Sequence, residues 1–343
     1  MKTTFAALAL SVTFALGASP SLAQNVKITP VGSHPGELCA NDRAIIFEDP
    51  TGVRFLYDPA HNVTGGDDPR LGTIHMVLLS HMHGDHLGDL KLKAPGAGTC
   101  SNSERVPAPN STTAEVAAAK NAALVMTRAM GGFVGNKVQG ILGSKPIAFC
   151  PQAAGGVTTV PVATVCNSQT DLGGIFIAKA ADAAQGVEIT IVYASHVNNA
   201  PPALLSEAQR ALLNADGAVL EFGPATGFVV KFTNGLTVYL SGDTGIHSEM
   251  KTVVNEYHKA NLAVLNLGVN PGIFVSGAHA INELIRPASV LITHPNEPVT
   301  EGGKLRPISR TAALIKQLKP PAHLAISGRT MEFDGKGKCV AGC

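Results

Sequence analysis

The chain has 343 residues, with 26 Lys+Arg against 25 Asp+Glu, and without Lys2 the balance is 25 to 25. That neutrality, with no basic cluster, argues against a polyanionic partner such as RNA or DNA, which a basic face recruits. Trp is absent and aromatics make up 5% of the chain, so a sugar- or base-stacking platform is not expected either.

Residues 1–23 read as a secretory signal: Lys2 is the charged start, 5–16 the apolar core, and Ser21-Leu22-Ala23 a small-residue cleavage site. The apolar stretch is short for a membrane span, and no later segment reaches that length without charge or glycine. The reading is an exported protein, periplasmic or secreted, with no stable membrane insertion after cleavage; a retained amphipathic anchor is the alternative. The remainder, 24–343, reads as a single domain with an insertion at about 91–186. Six cysteines in an exported chain suggest disulfides. Cys150 and Cys166 bracket a segment they can close into a loop, and Cys339 and Cys343 pair locally or tie down the tail.

Short strands are expected at 26–31, 44–48 and 53–57, punctuated by turns at 49–52 and at Asp58-Pro59. His34 lies in the loop between the first two and is a candidate for the rim of a site. A buried apolar strand at 74–79 leads into Ser80-His81-Met82-His83-Gly84-Asp85-His86. In extended chain His81 and His83 point to the same side. Gly84 lets the backbone turn, so that Asp85 and His86 leave in a new direction at a first helical turn. One loop can therefore serve two metal ions, and imidazole with carboxylate suits a borderline-soft divalent ion such as zinc.

This HxHxDH pattern resembles the metallo-β-lactamase superfamily, and the resemblance extends over most of the chain after the signal. It implies an α/β fold, a four-layer αββα sandwich with the metals at one edge of two packed sheets, here with a largely helical and loop insertion. Residues 91–111 read as a long loop, and Thr112-Thr113-Ala114-Glu115 has capping-box spacing for a helix to about Met130, ended by Gly131-Gly132. The apolar side of that helix (Val125, Met126, Met130, Phe133) packs on the core or forms an adaptable lid.

Further on, 187–194 is a strand followed by His196. A short helix at 200–216 and strands at 218–222, 227–232 and 236–240 come next, the last two joined by an Asn234-Gly235 hairpin. That hairpin leads to Ser241-Gly242-Asp243-Thr244-Gly245, similar to the superfamily segment whose Asp bridges two metals. A strand at 262–267, a helix to about 285 and a strand at 289–293 ending at His294 resemble the ascorbate-6-phosphate lactonase-like branch. A last helix is expected at 307–318.

The resemblance implies His81, His83 and His196 on one ion and Asp85, His86 and His294 on a second, with Asp243 bridging through one carboxylate oxygen to each. His247 and His279 are further rim candidates, His279 equally a helix cap. The ions are zinc in the first place, with manganese or iron(II) as alternatives. Two such ions about 3.5–4 Å apart lower the pKa of a shared water toward ~7. The hydroxide attacks a small ester, lactone or phosphoester, with Asp85 and Asp243 as catalytic carboxylates. Two other readings stay open: a mononuclear iron dioxygenase on the same fold, and a non-catalytic metal- or ligand-binding protein. The partner is a small molecule, and charge and compartment favour a largely neutral one.

Overall fold

The computed structural model describes residues 24–266 and 276–343. The expected signal at 1–23 and residue 267 of the expected 262–267 strand lie outside the described residues. Strands β1 (Val26–Pro30), β2 (Ile45–Glu48), β3 (Arg54–Tyr57), β4 (Met76–Leu78) and β5 (Ala123–Val125) belong to one sheet. Strands β6 (Val157–Val160), β7 (Ile175–Ala180), β8 (Val187–Tyr193), β9 (Thr226–Lys231), β10 (Thr237–Leu240), β11 (Leu262–Asn266), β12 (Ser289–Thr293) and β13 (Ala322–Leu324) form the second, in that spatial order. The chain then returns to the first sheet with β14 (Met331–Phe333) and β15 (Cys339–Ala341), giving the order β15-β14-β1-β2-β3-β4-β5.

Period-two alternation explains the layers. Ile45, Phe47, Phe55, Tyr57, Met76 and Leu78 face one buried cluster together with Ile189, Phe228, Val238 and Val264 of the second sheet. The residues between them, Ile46, Leu56 and Val77, enter a different cluster with Ala114, Ala117, Met130 and Val134 from helices Thr112–Lys120 and Arg128–Leu142. The outer face of the second sheet packs against helical segments Met250–Tyr257, Ala280–Ile285 and Arg310–Ile315. Helix, sheet, sheet, helix is the expected sandwich. Its centre holds a stack of Phe47, Phe55 and Phe232, with ring centroids 4.9 to 6.1 Å apart.

Several local expectations change. The helix expected from 112 to about 130 stops at Lys120, where Asn121 takes a left-handed φ of 49°. Ala123–Val125 then pairs in parallel with β4, and all three residues are fully buried. Burial beside β4, with Ala123 and Val125 facing the second sheet and Leu124 the helical layer, overrides the helix propensity of the alanine run. Ser111, not Thr112, caps the helix by accepting from Ala114 N. Thr112 instead donates to Ala60 O, and Glu115 pairs with Lys91. Gly131-Gly132 lies inside Arg128–Leu142. Met126 and Met130 are buried core, not a lid.

The 218–222 stretch makes only one isolated bridge, Asn199 to Glu221. With Val219 66% exposed it has no sheet neighbour to bury its apolar side. Within 91–186 lie, besides helices and loops, three strands of the main sheets: β5, β6 and β7. All six cysteines are paired, Cys39–Cys100, Cys150–Cys166 and Cys339–Cys343. Among the described residues no helix is long and apolar enough to cross a membrane.

Candidate metal centre

β4 ends at Leu78, and the chain stays extended through His83 before the helix Gly84–Leu87. Alternation sends Met82 into the outer apolar cluster, while Met82 N donates to Asn198 Oδ1 at 2.8 Å. His81 and His83 face the other way. The helical turn, with His86 N bonded to His83 O at 2.9 Å, carries Asp85 and His86 back beside them. The remaining donors follow strand ends of the second sheet: His196 after β8, Asp243 after β10 and His294 after β12.

The structure brings all seven together. His81, His83 and His196 form one group, and Asp85, His86, Asp243 and His294 another, with ligand atoms inside each group within 4.8 Å of one another. Asp243 joins them. Its Oδ2 lies 3.0 Å from His86 Nε2, 3.2 Å from His294 Nε2 and 3.9 Å from His81 Nε2. Its Oδ1 accepts from Asn266 Nδ2 at 3.0 Å. A single oxygen therefore faces both groups, where the sequence suggested one oxygen for each.

Four residues that the sequence did not mark as site residues fix these donors. Asp58, fully buried, accepts from Ser80 N and Ser80 Oγ at 2.8 and 2.7 Å, and its Oδ2 lies 2.8 Å from His86 Nδ1. That contact turns His86 Nε2 inward. Asn266 orients Asp243, and Asn199 Oδ1 lies 3.1 Å from His83 Nε2. Arg43, its side chain wholly buried, bonds Asp85 Oδ2. Asn266 stands at the end of an apolar strand, a signal that was there to use. Arg43 and Asn199 carry none.

Two of these positions are strained. Asp58 and His294 have φ of 42° and 49°, in the left-handed region that disfavours residues other than glycine. Backbone bonds hold them there, Asp58 N to Leu78 O at 2.9 Å and His294 N to Asp42 O at 2.8 Å. Gly242 also sits at positive φ, and a Cβ there would lie 2.6 Å from Thr226 O, so only glycine lets the chain pass into Asp243.

Charge follows from burial and neighbours. Burial, with His86 nearby, pushes His81 well below the usual histidine range, and burial lowers His196 as well. Burial opposes charge on Asp85, yet Arg43 and His294 hold its carboxyl far below the ordinary value. His294 and His86 do the same for the buried Asp243. Burial also opposes charge on His86, but Asp243 and Asp58 hold its pKa up to about 10.

These donors fit a divalent ion. Among the described residues, buried His81 Nε2 and His294 Nε2 have no hydrogen-bond partner, and both are aimed at Asp243 Oδ2. Imidazole nitrogens converging on ionised carboxylates are what zinc-like cations take.

The three rim candidates stand apart. His247 lies edge-on to Tyr193, with centroids 5.3 Å apart. His279 is exposed and makes no side-chain cap at Ala280–Ile285, which overturns the capping reading. His34 Nε2 is buried, without a hydrogen-bond partner among the described residues. Among the described residues, none of the three bonds to any of the seven donors.

No protein-family model matches the chain. It is 42% identical over 50 residues to a UPF0173 metal-dependent hydrolase of Methanosphaera stadtmanae, covering 15% of this chain and 21% of that one. It is 26% identical over 268 residues to one of Polynucleobacter asymbioticus, covering 74% and 72%. The chain thus spans about a fifth of the first relative's length and most of the second's. Among solved structures, Igni18, described as a novel metallo hydrolase from Ignicoccus hospitalis, superposes with a TM-score of 0.54 at 18% identity, over 90% of this chain and 99% of that one. With its two sheets, its two helical layers and a donor set able to hold a metal ion at their strand ends, the chain has the metallo-β-lactamase fold and is similar in sequence to metal-dependent hydrolases.

Proposed function

We propose that the chain is an exported metal-dependent hydrolase with a two-ion centre, acting on a small, largely neutral lactone, ester or phosphoester. The observation that carries this reading is that two donor groups meet at Asp243, whose Oδ2 lies 3.0 Å from His86 Nε2, 3.2 Å from His294 Nε2 and 3.9 Å from His81 Nε2. His81, His83 and His196 hold one ion, and Asp85, His86 and His294 the second, with Asp243 between them. Bound there, divalent ions lower the pKa of a water and take up negative charge growing on a carbonyl or phosphoryl oxygen.

The chain's own groups do the rest. Asn266 and Asp58 fix Asp243 and His86 before substrate arrives. Arg43 pins Asp85 Oδ2, and the Asp85 side chain is 37% exposed, so it faces the open side of the site. An aspartate held ionised accepts a hydrogen bond from the attacking water and orients it. The order of helix, strand and His294 resembles the ascorbate-6-phosphate lactonase-like branch, and charge balance favours a neutral relative of that substrate class.

The test is metal content of the isolated protein, with a lactone, aryl-ester and phosphoester panel before and after chelation. Two ions per chain and hydrolysis restored by zinc or manganese are expected. His83→Ala is expected to lose one ion and at least a hundredfold in turnover while staying folded. One iron without hydrolysis moves the reading to the oxygenase, and wild-type turnover in His83→Ala overturns it.

A further inference from the structure

A second set of metal-binding side chains meets near the C-terminus. His323, Cys339 and Cys343 each bring one ligand atom to within 4.8 Å of the others. Cys339 and Cys343 are joined as a disulfide. We propose that these three residues form a redox-gated site for a borderline-soft divalent ion such as zinc, shut while the disulfide stands and open once a thiol reductant cleaves it.

The placement is built into the fold. His323 sits on β13, whose pairing with β12 sets Leu291 opposite His323. Its ring lies edge-on to Phe333, with centroids 5.8 Å apart. Cys339 begins β15, which pairs with β14 through Phe333. Both sheets therefore contribute. Gly342 has φ of 72°, and a Cβ there would lie 2.0 Å from Thr330 O, so the tail folds back only with glycine. That fold brings Cys343 to Cys339.

The chemistry suits the ion. Zinc takes thiolate sulfur and imidazole nitrogen in a tetrahedron whose donors stand roughly 3.3–3.8 Å apart. Opening the disulfide and turning one cysteine side chain gives that spacing. The fourth position is left for water. Among the described residues the His323 ring makes no hydrogen bond, so a ring nitrogen is open to an ion.

The redox step balances. A dithiol gives two electrons and two protons to the Cys339–Cys343 bond and leaves as its own disulfide. The ion then displaces both thiol protons. Cys343 is exposed, whereas Cys39, Cys150 and Cys166 are buried, so a reductant reaches the tail first.

The experiment uses the full chain, reduced with a dithiol without oxygen, freed of reductant and titrated with cobalt(II). The candidate catalytic centre has no thiolate, so near-ultraviolet thiolate-to-cobalt charge transfer reports on reduced cysteines, and its loss in Cys343→Ser assigns it to this site. One equivalent of that signal is expected after reduction and none before. Cys343→Ser should abolish it, and His323→Ala should weaken cobalt binding at least tenfold. No signal in the reduced protein overturns the proposal, as does a signal that survives Cys343→Ser or an affinity unchanged in His323→Ala.

Discussion

Replacing Asp58 with Asn tests the arrangement around His86 without changing a metal donor. Asp58 Oδ1 accepts from Ser80 N at 2.8 Å, and Oδ2 accepts from Ser80 Oγ at 2.7 Å and faces His86 Nδ1 at 2.8 Å. A carboxylate at Nδ1 keeps the proton there and leaves the Nε2 lone pair free for an ion. An amide cannot satisfy both ends. If its NH2 faces His86, it donates to Nδ1 and the proton moves to Nε2, the ligating atom. If its NH2 faces Ser80 N, two donors meet in a fully buried pocket, at a cost of about 1–3 kcal/mol. Loss of such an orienting carboxylate typically weakens metal binding about 10–100-fold, or roughly 1.4–2.7 kcal/mol. Competition against a chromophoric chelator measures this directly, on protein shown folded by its cooperative unfolding. Only the binding step of the Asp85, His86 and His294 group should shift if the His81 group keeps its ion. Wild-type affinity for both ions in Asp58→Asn would refute the reasoning.

Removing metal should lower the unfolding temperature, because ions bind the folded donor set and not the open chain. At a free ion concentration of 100 times Kd the stabilisation is about 2.7 kcal/mol per site, and an unfolding temperature independent of zinc concentration would contradict a structural link. Gly242→Ala should unseat Asp243, since the new Cβ meets Thr226 O at 2.6 Å; a loss of about 2–4 kcal/mol is expected from denaturant midpoints. Asp68 tests acid stability away from the metals. Burial pushes its pKa up, but Arg70 outweighs this and holds it below the usual carboxylate range. A depressed folded value means stability present above the ordinary pKa and lost as pH falls through the folded one. Asp68→Asn should therefore be less stable at neutral pH and lose less on acidification. Parallel loss in both proteins would show that the pair, with Arg70 Nε and Nη2 at 2.9 and 2.6 Å, contributes nothing.

Donors that end apolar strands were legible because two local signals coincide there, a buried run and a polar residue that stops it. His196, Asp243 and His294 are singled out in this way, the spacing within 81–86 singles out the others, and the structure places all seven side chains together. Asp58 escaped because Asp-Pro already made sense as a turn. Its carboxylate acts on a residue 28 positions away. Arg43 escaped for a plainer reason: nothing near it in the chain announces a partner 42 positions off. The alanine run at 112–130 misled because propensity is local, while the place for Ala123–Val125 beside β4 exists only after the sheet has formed.

The way the donors are divided explains why the site and the fold stand or fall together. The first sheet supplies His81, His83, Asp85 and His86 from beyond β4, and the second supplies His196, Asp243 and His294. One loop then crosses between them. The backbone oxygen of Asp42 accepts from His294 N at 2.8 Å and Thr293 Oγ1 at 3.1 Å, while Arg43, the next residue, holds Asp85. The same Asp42 carboxylate takes Ser33 N and Cys39 N at 2.8 and 3.0 Å, and Cys39 is bonded to Cys100. A donor from each sheet is thus tied to neighbouring residues of one stapled loop. Strain at Asp58 is sustained by a backbone bond within the first sheet, to Leu78 O, and strain at His294 by one that reaches from the second sheet to the first-sheet loop at Asp42 O. An ion bound across that junction would select the packed sandwich over any state in which the sheets part, so metal affinity and folding stability would be one linked quantity.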